Sequence, residues 1–305
     1  METPTADRKI VLMSARLAPL GARPVEAVRT RVAGSIRQLV VGDPTPPRRQ
    51  PTAIDGLLPA DAVARRIHAD PSMFVGGLRA LFLQTLHPLA MAGVADHSDY
   101  RSDPWGRLRR TGQFIGVTTF GSRDDALETI GQVRRIHERI VGVAPDGRAY
   151  AATDPHLLAW VHVTEVDSFL TAYQRYGSRH LAGEEADRYI DEMALVAQLM
   201  GAEPVPRDVA ANRAWLTERK PELRVGRQAR DAVGFLLAPP VALAARPAYS
   251  LISAAAIGLL PPWARRKLWL PSPPLVDPLV VRPAMRTLLA GLGWALDPGP
   301  DRPEP

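Results

Sequence analysis

Three helices between Ser102 and Gly177 are delimited so sharply that they constrain the fold more than any other feature of the chain. Asp103-Pro104 supplies a cap and a first-turn proline, and Gly121 a stop. Ser122 with Asp125 makes a capping box for the second helix, which the pattern carries to Gly142. Asp146-Gly147 is a turn, and Asp154-Pro155 opens the third helix, which ends at Gly177. A fourth follows and stops at Gly201. Upstream, Pro71–Val94 reads as one largely apolar helix opened by Asp70 as its cap. Pro88 kinks it, frees the carbonyl of Gln84 and turns His87 out of register. The last hundred residues read as helices broken by Pro239-Pro240, Pro261-Pro262 and Pro273-Pro274.

Strand signals are almost absent, so the fold class is all-α: a single-domain helical bundle over residues 53–295. Residues 1–52 form a basic lead-in, with a helix at Pro24–Val40 and a proline-rich linker. Residues 296–305 form a disordered tail.

Cysteine is missing altogether, which excludes disulfides, thiolate ligands, covalent haem attachment and iron–sulfur clusters. A metal here needs His, Asp, Glu or Tyr. The net charge of +6 is carried by arginines that lack interleaved aromatics and any recognition motif, so nucleic acid is not an expected partner. The N-terminus has no signal-peptide pattern, and no window reaches the roughly 18 apolar residues of a membrane span. The expected location is the cytoplasm. Peripheral membrane contact is open to the apolar segment Ala248–Leu260, whose simpler reading is a buried core helix.

In the second helix Ala126, Ile130, Val133, His137 and Ile140 recur at steps of four and three, so His137 takes a core position. Spacing leaves it either a hydrogen-bonded core histidine or, through a neutral imidazole nitrogen, an iron ligand. In the first helix Arg107, Arg110, Thr111, Phe114 and Thr118 share one face. Gly112 and Gly116 flatten the face beside it, so that a planar ring can approach. Such donors suit charge developing on bound oxygen, although a solvated arginine cluster has the same pattern. In the third helix His162 and Glu165 lie three apart and offer a non-haem metal pair with His137 or His87. His68, His97, His156 and His180 fall near helix ends or loops.

The run HPLAMAGVADHSDYRSDPWGRLRRTGQFIGVTTFGS, followed by RRIHERIVG, DGRAYAATDP and LLAWVHVTEVDSFLTAYQRYG, resembles the MpaB-type oxygenases, among them the rubber oxygenase (latex clearing protein) catalytic domain. The resemblance covers about 78–177 and continues more loosely to about 283. It implies an all-α fold with a globin-like core holding haem b. His137 matches the proximal iron ligand, and Arg107, Arg110 and Thr111 match a distal Arg-x-x-Lys-Thr motif. The motif lysine is Arg110 here, which does not readily deprotonate. Asp96 and Asp99, but no glutamate, stand where the family's catalytic glutamate is expected.

The expectation is therefore a haem b-dependent oxygenase acting with dioxygen on an apolar, isoprenoid or lipid-like, unsaturated substrate, with an unidentified redox partner. Phe114, His87 (as sixth ligand or pocket wall) and His162 (as a neighbour hydrogen-bonding near the site) complete the cofactor-binding set. The alternatives are a haem sensor, carrier or electron-transfer protein, a His/Glu non-haem metalloenzyme, and a scaffold.

Overall fold

The computed structural model describes residues 55–270 and 276–296. The expected helix at 24–40, the linker after it, Pro273-Pro274 and the tail from 297 onward lie outside the described residues.

Helix α1 (Val63–Ala69) buries Val63, Ala64 and Ile67. Its first amides donate to the Glu192 carboxylate at 3.1 and 2.9 Å, a cap supplied from a distant helix. Asp70 does not open the next helix as its cap. It closes α1, and its carboxylate accepts from the amides of Ser72 (2.8 Å) and Ser178 (3.0 Å).

The long helix expected over Pro71–Val94 is two helices, α2 (Met73–Gln84) and α3 (Pro88–His97). The ring of Pro88 drives the residue before it out of helical geometry, and His87 adopts φ −88°, ψ 113°. His87 becomes the cap of α3, its Nδ1 accepting from the Ala90 amide at 3.5 Å. The Gln84 carbonyl is not left free, because the His87 amide donates to it at 3.4 Å.

Helices α4 (Pro104–Phe120) and α5 (Arg123–His137) start at the expected caps. Asp103 accepts from Gly106 at 2.8 Å, and Ser122 and Asp125 bond reciprocally at 3.1 and 2.8 Å. However, α5 stops at His137 rather than at Gly142. The chain instead turns into a short hairpin, β1 (Val141–Val143) with β2 (Ala149–Ala151), around the Asp146-Gly147 turn, where Gly147 has φ +86°. Gly142 is a strand glycine paired with Tyr150, and a Cβ on it would collide with the Tyr150 ring. Valines 141 and 143 suit a strand, and the buried Tyr150 anchors it by donating to Asp96 at 2.6 Å.

Helix α6 (Pro155–Tyr176) runs between its two expected signals, and α7 (Gly183–Met200) ends at Gly201 in the left-handed conformation, φ +96°. Then come α8 (Val209–Glu218), α9 (Arg227–Leu237), α10 (Arg246–Leu259), α11 (Pro262–Leu268), a π-turn at Asp277–Val281 and α12 (Arg282–Leu296). Leu237 ends one helix just before Pro239-Pro240, and Pro261-Pro262 starts another, as expected. The all-α class holds, with the hairpin the one sheet among the described residues.

Helix α6 is the axis of the molecule. Trp160 and Val163 enter one hydrophobic core, with Phe82, Leu83, Leu223 and Met285. Val166, Phe169 and Tyr173 enter a second, with Ile67, Ile130 and Tyr189. It packs most extensively on α2, where Gly76 permits the approach: a Cβ there would lie 2.9 Å from the Phe169 ring and 3.0 Å from its Cα. Residues 248–260 fall within and just beyond α10, which buries Ser253, Ala255 and Ala256 against α2 and the first core. Among the described residues no helix is long and apolar enough to cross a membrane.

Candidate functional site

Helices α4 and α5 form an antiparallel hairpin around Gly121-Ser122, packed on each other. Arg107 lies 13 residues before the turn side of α4, and His137 ends α5. Each is roughly 20 Å from the turn, so both stand at the hairpin's open end. The hairpin leans on α1 and α7, and neither of its helices makes extensive backbone contact with α6.

The stripe that carries His137 fades along α5: Ala126 and Ile130 are buried, whereas Val133 and His137 are half-buried. This puts the ring at the rim of the core. Its Nδ1 is buried without a hydrogen-bond partner, and burial holds its pKa below the ordinary histidine value. The ring is neutral at physiological pH, with a lone pair available.

Arg107 is half-buried and deep in the protein. Burial pulls its pKa down; the Tyr100 phenol acts against that and Arg110 reinforces it. No carboxylate among the described residues pairs with it. The rest of the expected stripe divides. Arg110 is exposed, 3.5 Å from the Asp103 carboxylate, and Thr111 is exposed as well. Phe114 packs against the second core, while the buried Thr118 hydroxyl donates back to the Phe114 carbonyl at 2.8 Å. A Cβ at Gly116 would meet nothing within 4 Å, so that face of α4 fronts open space.

On α6, His162 and Glu165 lie deep within the protein yet keep some accessible surface. Burial alone pushes the His162 pKa down to about 4 and that of Glu165 up to about 7. The Nε2 of His162 is buried without a partner.

His87 is engaged elsewhere. Besides capping α3, His87 has its Nε2 3.6 Å from Glu222 and its ring packed 5.7 Å from that of Trp160. Trp160 and His162 are two residues apart on α6 and so point to different sides. Burial lowers the His87 pKa, and Glu222 partly offsets the effect. Nor do three His, Asp or Glu residues converge as a metal site among the described residues. The pairing of His162 and Glu165 with His137 or His87 around a non-haem metal is therefore not assembled.

One participant escaped the sequence reading. His68 is not a loop histidine: its Nδ1 bonds the Thr119 hydroxyl at 2.8 Å and its Nε2 the Tyr189 hydroxyl at 3.1 Å. Burial pushes its pKa down to about 3. The available signal was its position four residues after Ala64, on the buried face of α1.

The chain is thus all-α, with His137 and Arg107 at one end of the α4–α5 hairpin. The family model described as ER-bound oxygenase mpaB/B'/Rubber oxygenase, catalytic domain, matches residues 65–290, and the chain belongs to that family. Comparison with curated proteins and with solved structures finds no significant match.

Proposed function

We propose that the protein is a haem b-dependent oxygenase that uses dioxygen on an apolar, isoprenoid or lipid-like, unsaturated substrate. The family supports oxygenase chemistry with dioxygen. The observation that carries the cofactor is His137, a neutral half-buried imidazole whose Nδ1 has no partner among the described residues, at the same hairpin end as Arg107, which pairs with no carboxylate among them. These residues fit a haem. His137 would hold the iron through a ring nitrogen, and Arg107 would supply a fixed positive charge for the haem carboxylates or for charge developing on oxygen. Phe114, seven residues on from Arg107 and on the same face of α4, is an apolar wall beside it.

When bound, haem supplies the iron that activates dioxygen for attack on a carbon–carbon double bond. The chain's residues bind, orient and shield. Arg110 and Thr111 lie one turn along the same face of α4 and extend the donor set beyond Arg107. His162, neutral and with a free ring nitrogen, offers a hydrogen bond from the α6 side. The second reading, a haem carrier or sensor, draws on one observation. Arg110 is tethered to Asp103 and cannot act as a mobile, deprotonating lysine would.

Oxygen uptake by the haem-loaded protein with polyisoprene oligomers separates the two. The oxygenase reading expects uptake with carbonyl products, and a rate about a hundredfold lower in Arg107→Ala. Haem bound without uptake favours the carrier.

A further inference from the structure

Helix α11 ends in a backbone arrangement that glycine normally closes. The Leu270 amide donates to the Arg265 carbonyl at 3.0 Å and the Trp269 amide to the Arg266 carbonyl at 3.3 Å, a pattern that needs a left-handed residue at 269. That residue is a tryptophan, at φ 59° and ψ 32°. The other positive φ angles among the described residues fall on glycines, Gly147 and Gly201. A side chain here crowds its Cβ against the following carbonyl, a strain that glycine avoids. Packing does not offset it. The Trp269 ring is 88% exposed, whereas Leu268 and Leu270 on either side are buried in the first core. The backbone is anchored and the indole is held out in water.

Its surroundings are cationic. Between Asp231 and Asp277 the chain has no acidic residue, and Arg265, Arg266 and Lys267 make up the last turn of α11. Lys267 donates to the Leu223 carbonyl at 3.3 Å, while the side chains of Arg265 and Arg266 have no partner among the described residues. Asp277 lies 3.6 Å from Arg282 and packs against Gly258, four residues before α11 begins. The π-turn that it opens carries Leu279 and Val280, 70% and 60% exposed.

We propose that the Trp269 end of α11 docks on an anionic lipid bilayer, the indole seated at headgroup level and Arg265 and Arg266 against the lipid phosphates. An indole joins an apolar body to a polar N–H, which suits the bilayer interface, and neighbouring cations draw it to anionic lipid. A second copy of the chain would set like charges against each other. The contact is peripheral, since no described helix is long and apolar enough to span. It lies one helix beyond the apolar segment 248–260, whose buried face packs inward. It is independent of the haem reading.

The test is cosedimentation of the full-length protein with phosphatidylcholine vesicles, with and without phosphatidylglycerol. Wild type is expected to bind the anionic vesicles in preference, and less well as salt is added. Trp269→Gly should bind them about tenfold more weakly. It should melt at the same temperature or higher, because glycine relieves the left-handed strain. Trp269→Asn, which also tolerates that conformation, should behave alike. Arg265→Gln/Arg266→Gln should bind about twentyfold more weakly. A structural role for Trp269 expects the reverse, a lower melting temperature with vesicle binding unchanged, and that result overturns the proposal. No binding of wild type to anionic vesicles also overturns it. Self-association that Trp269→Gly abolishes, or binding to polyglutamate but not to vesicles, would assign the surface to a second copy or to an acidic protein and overturn it as well.

Discussion

Arg79→Ala is expected to destabilise the protein by about 3–5 kcal/mol, the cost of leaving a buried charge without its partner. Arg79 is 3% exposed and holds three things at once. It bonds the Asp167 carboxylate at 2.8 Å, the Ser168 hydroxyl at 2.7 Å and the Leu259 carbonyl at 3.0 Å. It thereby ties α2 to α6 and to the end of α10, across the close approach made at Gly76. Truncation leaves the Asp167 carboxylate with little access to water and strands two further acceptors. Urea unfolding at pH 7 measures the loss. The double variant Arg79→Met/Asp167→Leu should recover most of it, because no charge is then left unpaired. Equal losses in the single and double variants would contradict this account of the join.

The second large effect is the response to acid. His68 is neutral in the native protein because burial pushes its pKa down to about 3, against an ordinary value of 6.5. A histidine with a depressed native pKa stabilises fully above 6.5. Below that pH the unfolded chain binds a proton that the native state refuses, so stability drains away between pH 6.5 and 3. The shift corresponds to at most about 4–5 kcal/mol at its acid limit. His162, pushed down to about 4, acts in the same direction over a narrower window. Glu165 works in the opposite sense. Its raised pKa makes its stabilising contribution complete below 4.5 and lost as pH rises through about 7. Unfolding free energies at pH 7 and pH 4 should therefore differ less in His68→Gln than in wild type. An unchanged difference would contradict a neutral, buried His68.

Local chemistry made part of this fold readable. The starts of α4, α5 and α6 are set by Asp, Ser and Pro within a few residues of the boundary, and the structure places them there. The end of α5 was not readable, because Gly142 is a stop only if the helix continues. The competing hairpin depends on Tyr150 finding Asp96 and the α3 surface, which are distant in sequence. Pro88 was read as a kink because periodicity runs across it. His87 taking the cap is a tertiary outcome, secured by Trp160 and Glu222. In the site, helical spacing singled out His137, Arg107, His162 and Glu165, whose side chains make no hydrogen bond or ion pair among the described residues. It could not separate Arg107 from Arg110 and Thr111, since a stripe records a face and not what covers it. His68 was missed for the same reason: its partners, Thr119 and Tyr189, lie on two other helices.

The most direct test of the account is the absorption spectrum of the protein supplied with haem, wild type beside His137→Ala. A Soret band in the wild type that is lost or shifted in the variant is the predicted result, because His137 would hold the iron. No Soret band in the wild type, or an identical band in both proteins, would contradict it.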